Sequence, residues 1–244
     1  MSGSGVFDGA VIAFDLDGTL VDTAPDLVAV LNHILLDEGL TPLPLPEVRP
    51  MIGRGARALL ERGFAAAGAA LAPERMKPLF DRFIDLYFAR IAEESRPFPG
   101  VEAALDSLLQ AGARLAVCTN KRTALSTALL DALDLSRRFT VVMGPDTAGA
   151  SKPDPRHLLA ALEAARGTPA CALMVGDSEA DLAAARGAGV PMIAVSFGYT
   201  EVPPAKLGAD ALIDHFQDLE SAARDLLRRG ARSISPHFPG GTDA

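Results

Sequence analysis

A chain of 244 residues, 49% hydrophobic and 22% charged, can bury a large core and is too long for a minimal one-layer module. Its net charge of −8 argues against a nucleic-acid partner, because affinity for a phosphate backbone comes from clustered Lys and Arg that release counterions. No apolar run reaches the roughly 20 residues of a membrane helix and no signal segment is visible, so a small-molecule or protein partner and a cytoplasmic, non-membrane protein are expected.

The chain opens on a loose "MSGSG". Residues 9–15, "GAVIAFD", then form a short, continuous apolar run, the pattern of a strand buried on both faces. Residues 22 to about 94 change rhythm. "DLVAVLNHILLDEGL", "EVRPMIG", "ARALLERGFAAAG" and "ERMKPLFDRFIDLYFARIAEE" are helix-patterned with no strand among them, and "SRPFPG" closes the stretch with turn chemistry. Strand-like runs return at "ARLAVCT" (113–119), "FTVVMG" (139–144), "CALMVGD" (171–177) and "VPMIAVS" (190–196). Between them stand helix-period segments: "VEAALDSLLQAG", "RTALSTALLDALDL", "PRHLLAALEAAR" and "EADLAAARGAG". Alternation of this kind predicts an α/β fold, a Rossmann-like parallel sheet with helices on both faces, here carrying an all-helical insert after its first strand. The expected division is a core of residues 1–21 and 95–230, a helical cap of 22–94, and a flexible tail of 231–244 that is polar and rich in Gly and Pro. Cys118 and Cys171 lie in apolar runs and are expected to be reduced core thiols.

Ligands of parallel α/β sheets sit beyond the carboxyl ends of the strands, and the first strand ends in "DLDGT". Asp15 and Asp17, two positions apart, project from the same side of an extended segment. Two carboxylates so placed repel by about 4 kcal/mol at ~4 Å with an effective dielectric near 20, so a positive partner is required. "VGDSEAD" brings Asp177 to another strand end and Asp181 into the following helix. Asp15, Asp17 and Asp177 offer only hard oxygen ligands, which selects Mg²⁺ over zinc. "VCTNK" places Thr119 and Asn120 where a hydroxyl and amides can hold phosphate oxygens, and "ASKPDP" places Lys152 in a loop before a helix. Taken singly, Asp177 or Ser178 reads first as a helix cap, Thr119 as another, and Lys152 as a solvated surface residue; their shared location is what favours the site.

With "DLDGTLVDT", "TN", "SKPDP" and "GDSEAD" in this order over residues 10 to about 228, the sequence resembles the haloacid dehalogenase-like hydrolase superfamily. That resemblance implies a Rossmann-like core with an inserted helical cap. It also implies roles: Asp15 as nucleophile forming an aspartyl-phosphate, and Asp17 as acid and base. Mg²⁺ would be held by the Asp15 side chain, the Asp17 carbonyl and Asp177. Thr119 and Lys152 would bind the transferring oxygens, and Asp181 would support the metal water or Lys152. Because Asp17 is present, the chemistry implied is hydrolysis of a phosphate monoester rather than dehalogenation.

Within the superfamily the motifs "FDLDGTLVDTAPDL", "IGRGARALLERG" and "SKPDP" are most similar to those of bacterial phosphoglycolate phosphatases, with sugar-phosphate phosphatases or mutases as the alternative. Asn120, Arg54 and Arg57 are the expected substrate-binding residues, the arginines as a fork for a substrate carboxylate. Lys121 and Arg122 add local positive charge. A phospho-accepting signalling receiver stays open as a more distant alternative, and a monomer or a homodimer is compatible with the composition. The crossings at 20–24 and 93–100, the second set by Pro97, Pro99 and Gly100, are the expected hinges; Gly100→Pro is expected to slow turnover more than it lowers stability.

Overall fold

The computed structural model describes residues 5–234. The first strand, β1 (Val11–Phe14), is buried along its whole length. It leads into a two-residue strand, β2 (Val21–Asp22), and then into four helices, α1 (Ala24–Asp37), α2 (Leu45–Val48), α3 (Ala56–Ala66) and α4 (Pro73–Ala89). The chain returns through β3 (Arg96–Pro97). Alternation then resumes with α5 (Val101–Gln110), β4 (Arg114–Cys118), α6 (Thr123–Ala132), β5 (Val141–Met143), α7 (Pro145–Ala148) and α8 (Pro155–Ala164). It ends with β6 (Ala172–Gly176), α9 (Glu179–Ala188), β7 (Met192–Val195), β8 (Ala211–Ile213) and α10 (Leu219–Ile234).

Six strands form one parallel sheet in the order β5-β4-β1-β6-β7-β8. The order reverses at β1, so the crevice beyond its carboxyl end is the topological switch point where open α/β sheets bind ligands. Side chains alternate across the sheet. Ile12 and Phe14 pack with Leu105 and Leu108 of α5, Leu129 of α6 and Leu219 of α10, while Val11 and Ala13 pack with Leu158 and Leu162 of α8 and Leu182 of α9. Both faces are therefore apolar, which is why the strands read as unbroken hydrophobic runs.

All five expected runs are strands. The sixth, β8, escaped the pattern because three residues of which two are partly exposed carry too little periodicity. Residues 231–234, placed in the tail from composition, continue α10; residues 235–244 of that tail and residues 1–4 of the opening "MSGSG" lie outside the described residues. Cys118 is buried in β4, and Cys171 is half-buried in the turn before β6; both are free thiols.

Helices α1, α3 and α4 share a separate apolar cluster. Leu31, Ile34, Leu60, Phe64, Phe83 and Tyr87 meet there, and Leu125 of α6 and Tyr199 after β7 reach into it. The two crossings are bonded to each other, since β2 and β3 pair antiparallel and the Phe98 N–H donates to the Leu20 carbonyl at 3.0 Å. Asp26, in the first turn of α1, fastens the return crossing. Its buried carboxylate accepts from the Glu94 and Ser95 N–H groups and from the Ser95 hydroxyl at 2.6 Å. Gly100 stands at φ +84° immediately before α5. Proline fixes φ near −65°, so Gly100→Pro strains the fold itself, and the expected separation of turnover from stability does not hold for that substitution.

Candidate active site

The ends of β1, β4 and β6 lie side by side, and each delivers one acidic or hydroxyl residue to the same crevice. Asp15 follows β1, with its N–H bonded to the Val175 carbonyl at 2.9 Å. Thr119 follows β4, and its N–H donates to the Met143 carbonyl at 3.1 Å. Asp177 follows β6 and accepts from the Thr19 hydroxyl at 3.2 Å and the Tyr199 N–H at 2.6 Å. Lys152, from the loop before α8, reaches in between, with its ammonium 2.7 Å from Asp15 Oδ1 and 2.6 Å from Asp181 Oδ1. Only 4% of Lys152 is exposed, so the solvated-surface alternative fails. Thr119 caps no helix either, because α6 begins after Arg122. Ser178 does cap α9 in a capping box with Asp181, which leaves Asp177 for the crevice.

Asp15, Asp177 and Asp181 each present a carboxylate oxygen, all within 4.8 Å of one another. Three carboxylates against one ammonium leave an excess of negative charge. Burial raises the Asp15 carboxyl to about 7, with the charges of Asp181 and Asp17 acting in the same direction and Lys152 against it. Asp177 is held well above the ordinary carboxylate range, by burial first and then by Asp181 and Asp15. A buried set of hard oxygens that raises its own proton affinity fits a small divalent cation such as Mg²⁺. Asp181 belongs to this cluster by position, but its oxygens are already engaged: Oδ1 by Lys152, and Oδ2 by the N–H and hydroxyl of Ser178. The Asp17 side chain turns the other way. Its Oδ1 lies 2.7 Å from the Thr23 hydroxyl and 2.8 Å from Lys121 Nζ.

A cavity of about 440 Å³ lies between α3, α4 and the carboxyl ends of the strands, and Asp15, Asp17, Arg54, Arg57, Tyr87, Thr119, Asn120, Lys121 and Arg122 line it in part. Arg54 and Arg57 are exposed and form no ion pair among the described residues. The Asn120 side-chain amide is committed to the Gly53 carbonyl at 3.2 Å and the Lys152 carbonyl at 3.0 Å. It therefore ties the loop before α3 to the loops at the carboxyl ends of the strands, and it leaves the backbone N–H as the donor that Asn120 has to offer a substrate.

The model of the haloacid dehalogenase-like hydrolases matches residues 12–195. The chain belongs to this family. A phosphoglycolate phosphatase of Caulobacter vibrioides is 61% identical over 220 residues, which cover 90% of this chain and 93% of that protein. One of Agrobacterium fabrum is 47% identical, with 89% and 94% covered. Among solved structures, that of a predicted phosphoglycolate phosphatase from Haemophilus somnus superposes with a TM-score of 0.83 at 31% identity, covering 90% of this chain and 99% of that one. The present hydrolase is a phosphomonoesterase, and the signalling-receiver alternative falls with that assignment.

Several residues of this hydrolase's crevice carry no motif signal. Lys121 was expected only as nearby charge. It is buried, and it bridges Asp17 to the Tyr87 hydroxyl of α4 at 2.9 Å with its ammonium over the Tyr87 ring. Burial alone would lower the Lys121 ammonium, but Asp17 and Tyr87 outweigh it and hold the group above the ordinary lysine value. Burial pushes the Tyr87 hydroxyl up to about 12, so it remains a donor. Tyr199 is a second link. Its N–H holds Asp177 while its hydroxyl donates to Asp22 of β2 at 2.5 Å and accepts from the Ala24 N–H at 3.1 Å. Tyr87 reads as one more apolar position of an amphipathic helix, and Tyr199 lies in an aperiodic loop, so neither announces itself.

Proposed function

We propose that this phosphomonoesterase hydrolyses 2-phosphoglycolate through an aspartyl-phosphate on Asp15, with Mg²⁺ as cofactor. The observation that carries the reading is the convergence of Asp15, Asp17, Thr119, Lys152 and Asp177 on one crevice at the switch point of the sheet. The substrate follows from the relatives' name, supported by the cationic lining of the cavity.

Asp15 Oδ1 is held by the Leu16 N–H and Lys152, both at 2.7 Å, while Oδ2 accepts no hydrogen bond among the described residues. Oδ2 is thus the oxygen available to attack phosphorus. The new Asp15 O–P bond forms as the bond from phosphorus to the glycolate oxygen breaks, and Asp17 gives that oxygen its proton. Asp17 then takes a proton from the water that attacks the aspartyl-phosphate, which returns Asp15 and releases phosphate. Lys152, the Thr119 hydroxyl and the Asn120 N–H bind the transferring oxygens. Asp15, Asp177 and the Asp17 carbonyl would hold the cation, with Asp181 orienting Lys152; when bound, the cation offsets repulsion between carboxylate and phosphate dianion. Arg54 and Arg57 draw the anionic ester toward the mouth.

In this reading residues 1–21 and 95–230 are the catalytic core and 22–94 a cap that closes over the crevice and excludes water during transfer. Phosphate release should be measured with Mg²⁺ on 2-phosphoglycolate and a panel of sugar phosphates, for wild type and Asp15→Asn. Turnover that favours 2-phosphoglycolate and vanishes in the variant is the expected result. Equal or faster turnover of a sugar phosphate overturns the substrate, and an active Asp15→Asn overturns the nucleophile.

A further inference from the structure

A phosphate ester that also carries a carboxylate needs a second anion site close to the leaving oxygen. In 2-phosphoglycolate the carboxylate sits on the carbon bonded to that oxygen, so it must lie within a few ångströms of whichever group protonates it. In the mechanism above that group is Asp17. Two side chains stand against Asp17 Oδ1, the Thr23 hydroxyl at 2.7 Å and Lys121 Nζ at 2.8 Å; the charged one is Lys121, and the next one along from it is Tyr87.

We propose that Lys121 and Tyr87 together receive the substrate's carboxylate and so set the preference for a carboxylated phosphate ester; this deepens the 2-phosphoglycolate reading and rests on it. An ammonium has three hydrogens, and Lys121 directs two of them at Asp17 and Tyr87. The third has no acceptor among the described residues. The Tyr87 hydroxyl accepts from Lys121, and its own proton likewise has no acceptor among them. Both residues line the cavity that Asp15 and Thr119 line. Two open donors beside one another match the two oxygens of a carboxylate.

Burial distinguishes this pair from the arginines. Lys121 is 8% exposed and Tyr87 1%, whereas Arg54 and Arg57 stand in solvent. A desolvated, pre-positioned donor gives a stronger charge-assisted hydrogen bond than a solvated, mobile one, because little hydration or rotamer freedom remains to be lost. Tyr87 belongs to α4 and Lys121 to the loop after β4, so the pair forms only where the helical insert meets the carboxyl ends of the strands. A carboxylate held by both would bind the insert and the core at once.

The test compares kcat/KM on 2-phosphoglycolate with kcat/KM on ethyl phosphate, which has the same ester oxygen and two carbons but no carboxylate. Wild type, Lys121→Gln and Tyr87→Phe are assayed with Mg²⁺, and thermal melting checks that each variant is folded. The expected result is a wild-type preference for 2-phosphoglycolate that shrinks by roughly tenfold or more in Lys121→Gln and by a smaller factor in Tyr87→Phe. An equal loss on both esters means that Lys121 only positions Asp17, and overturns the proposal. An unchanged preference in both variants overturns it too. A wild type that does not prefer the carboxylated ester sinks the substrate reading itself, a separate failure visible before any variant is made. Should Lys121→Gln fail to fold, Tyr87→Phe, which keeps the ring and removes only the hydroxyl, decides by the same ratio.

Discussion

Gly18, one residue past Asp17, stands at φ +85°, and a Cβ there would lie 2.6 Å from Asp177 Oδ2 and 2.8 Å from the Tyr199 ring. The turn after the first motif is therefore glycine for two reasons, its left-handed backbone and the close approach of Asp177. A quieter residue sets a pH limit. His157, in α8, is fully buried, with Nε2 against the Met143 carbonyl at 3.1 Å and Nδ1 unpartnered. Burial, reinforced by Lys152, pushes its imidazole from 6.5 down to about 4. Between those values the unfolded chain binds the proton and the folded one does not. The stability that a neutral His157 contributes is therefore complete above about pH 6.5 and is lost as pH falls toward 4, by at most about 3 kcal/mol. Urea unfolding from pH 7 to 4 should show a shallower decline for His157→Gln than for wild type; parallel declines would contradict this account.

Among elements, the crossings between insert and core carry more structure than turn chemistry suggests. Residues 95–100 read as a loop, yet two of them pair with β2, and Asp26 clasps the segment from the first turn of α1. A buried carboxylate is stabilising only while its oxygens are satisfied, and here three donors supply that. Asp26→Asn keeps the shape but sets an NH₂ group among N–H and O–H donors. The expected cost is about 2–4 kcal/mol, read as a lower urea midpoint at an unchanged m-value. A midpoint equal to wild type would mean that the clasp contributes nothing. Tyr199 joins the same region to the crevice: Asp22 of β2, which also accepts from Arg49 at 3.0 Å, is one hydroxyl and one N–H away from Asp177. A short hydrogen-bonded path thereby connects the crossing to a residue of the acidic cluster.

For the whole molecule, the acidic cluster is a place where three buried carboxylates stand against one ammonium. Asp15, Asp177 and Asp181 destabilise one another, with Lys152 as their shared counter-charge. A divalent cation that binds the folded chain there and not the unfolded one adds about 2.7 kcal/mol at a hundred times its dissociation constant. For a chain of this size that corresponds to a rise in Tm of roughly 5–10 °C. Thermal melts with and without Mg²⁺ should show that rise in wild type and a much smaller one in Asp177→Asn. A wild-type Tm indifferent to Mg²⁺ would remove the cation from this site. No helix among the described residues is long and apolar enough to cross a membrane.

The sequence by itself determined five of the sheet's six strands, the helical insert and the chemical character of the crevice. Strands buried on both faces leave unbroken apolar runs, helices leave a 3.6-residue stripe, and residues fixed to strand ends, such as Asp15, Thr119 and Asp177, inherit their place from those runs. Only the tertiary structure decided which side chains serve one another. Lys121 meets Tyr87 across 34 positions and Tyr199 meets Asp22 across 177, and no local period connects residues so far apart. It also decided that Asn120 spends its amide on backbone carbonyls and that Lys152 is buried. The physical reason is that periodicity records which face of its own element a residue occupies, whereas partners are chosen by the packing of one element against another.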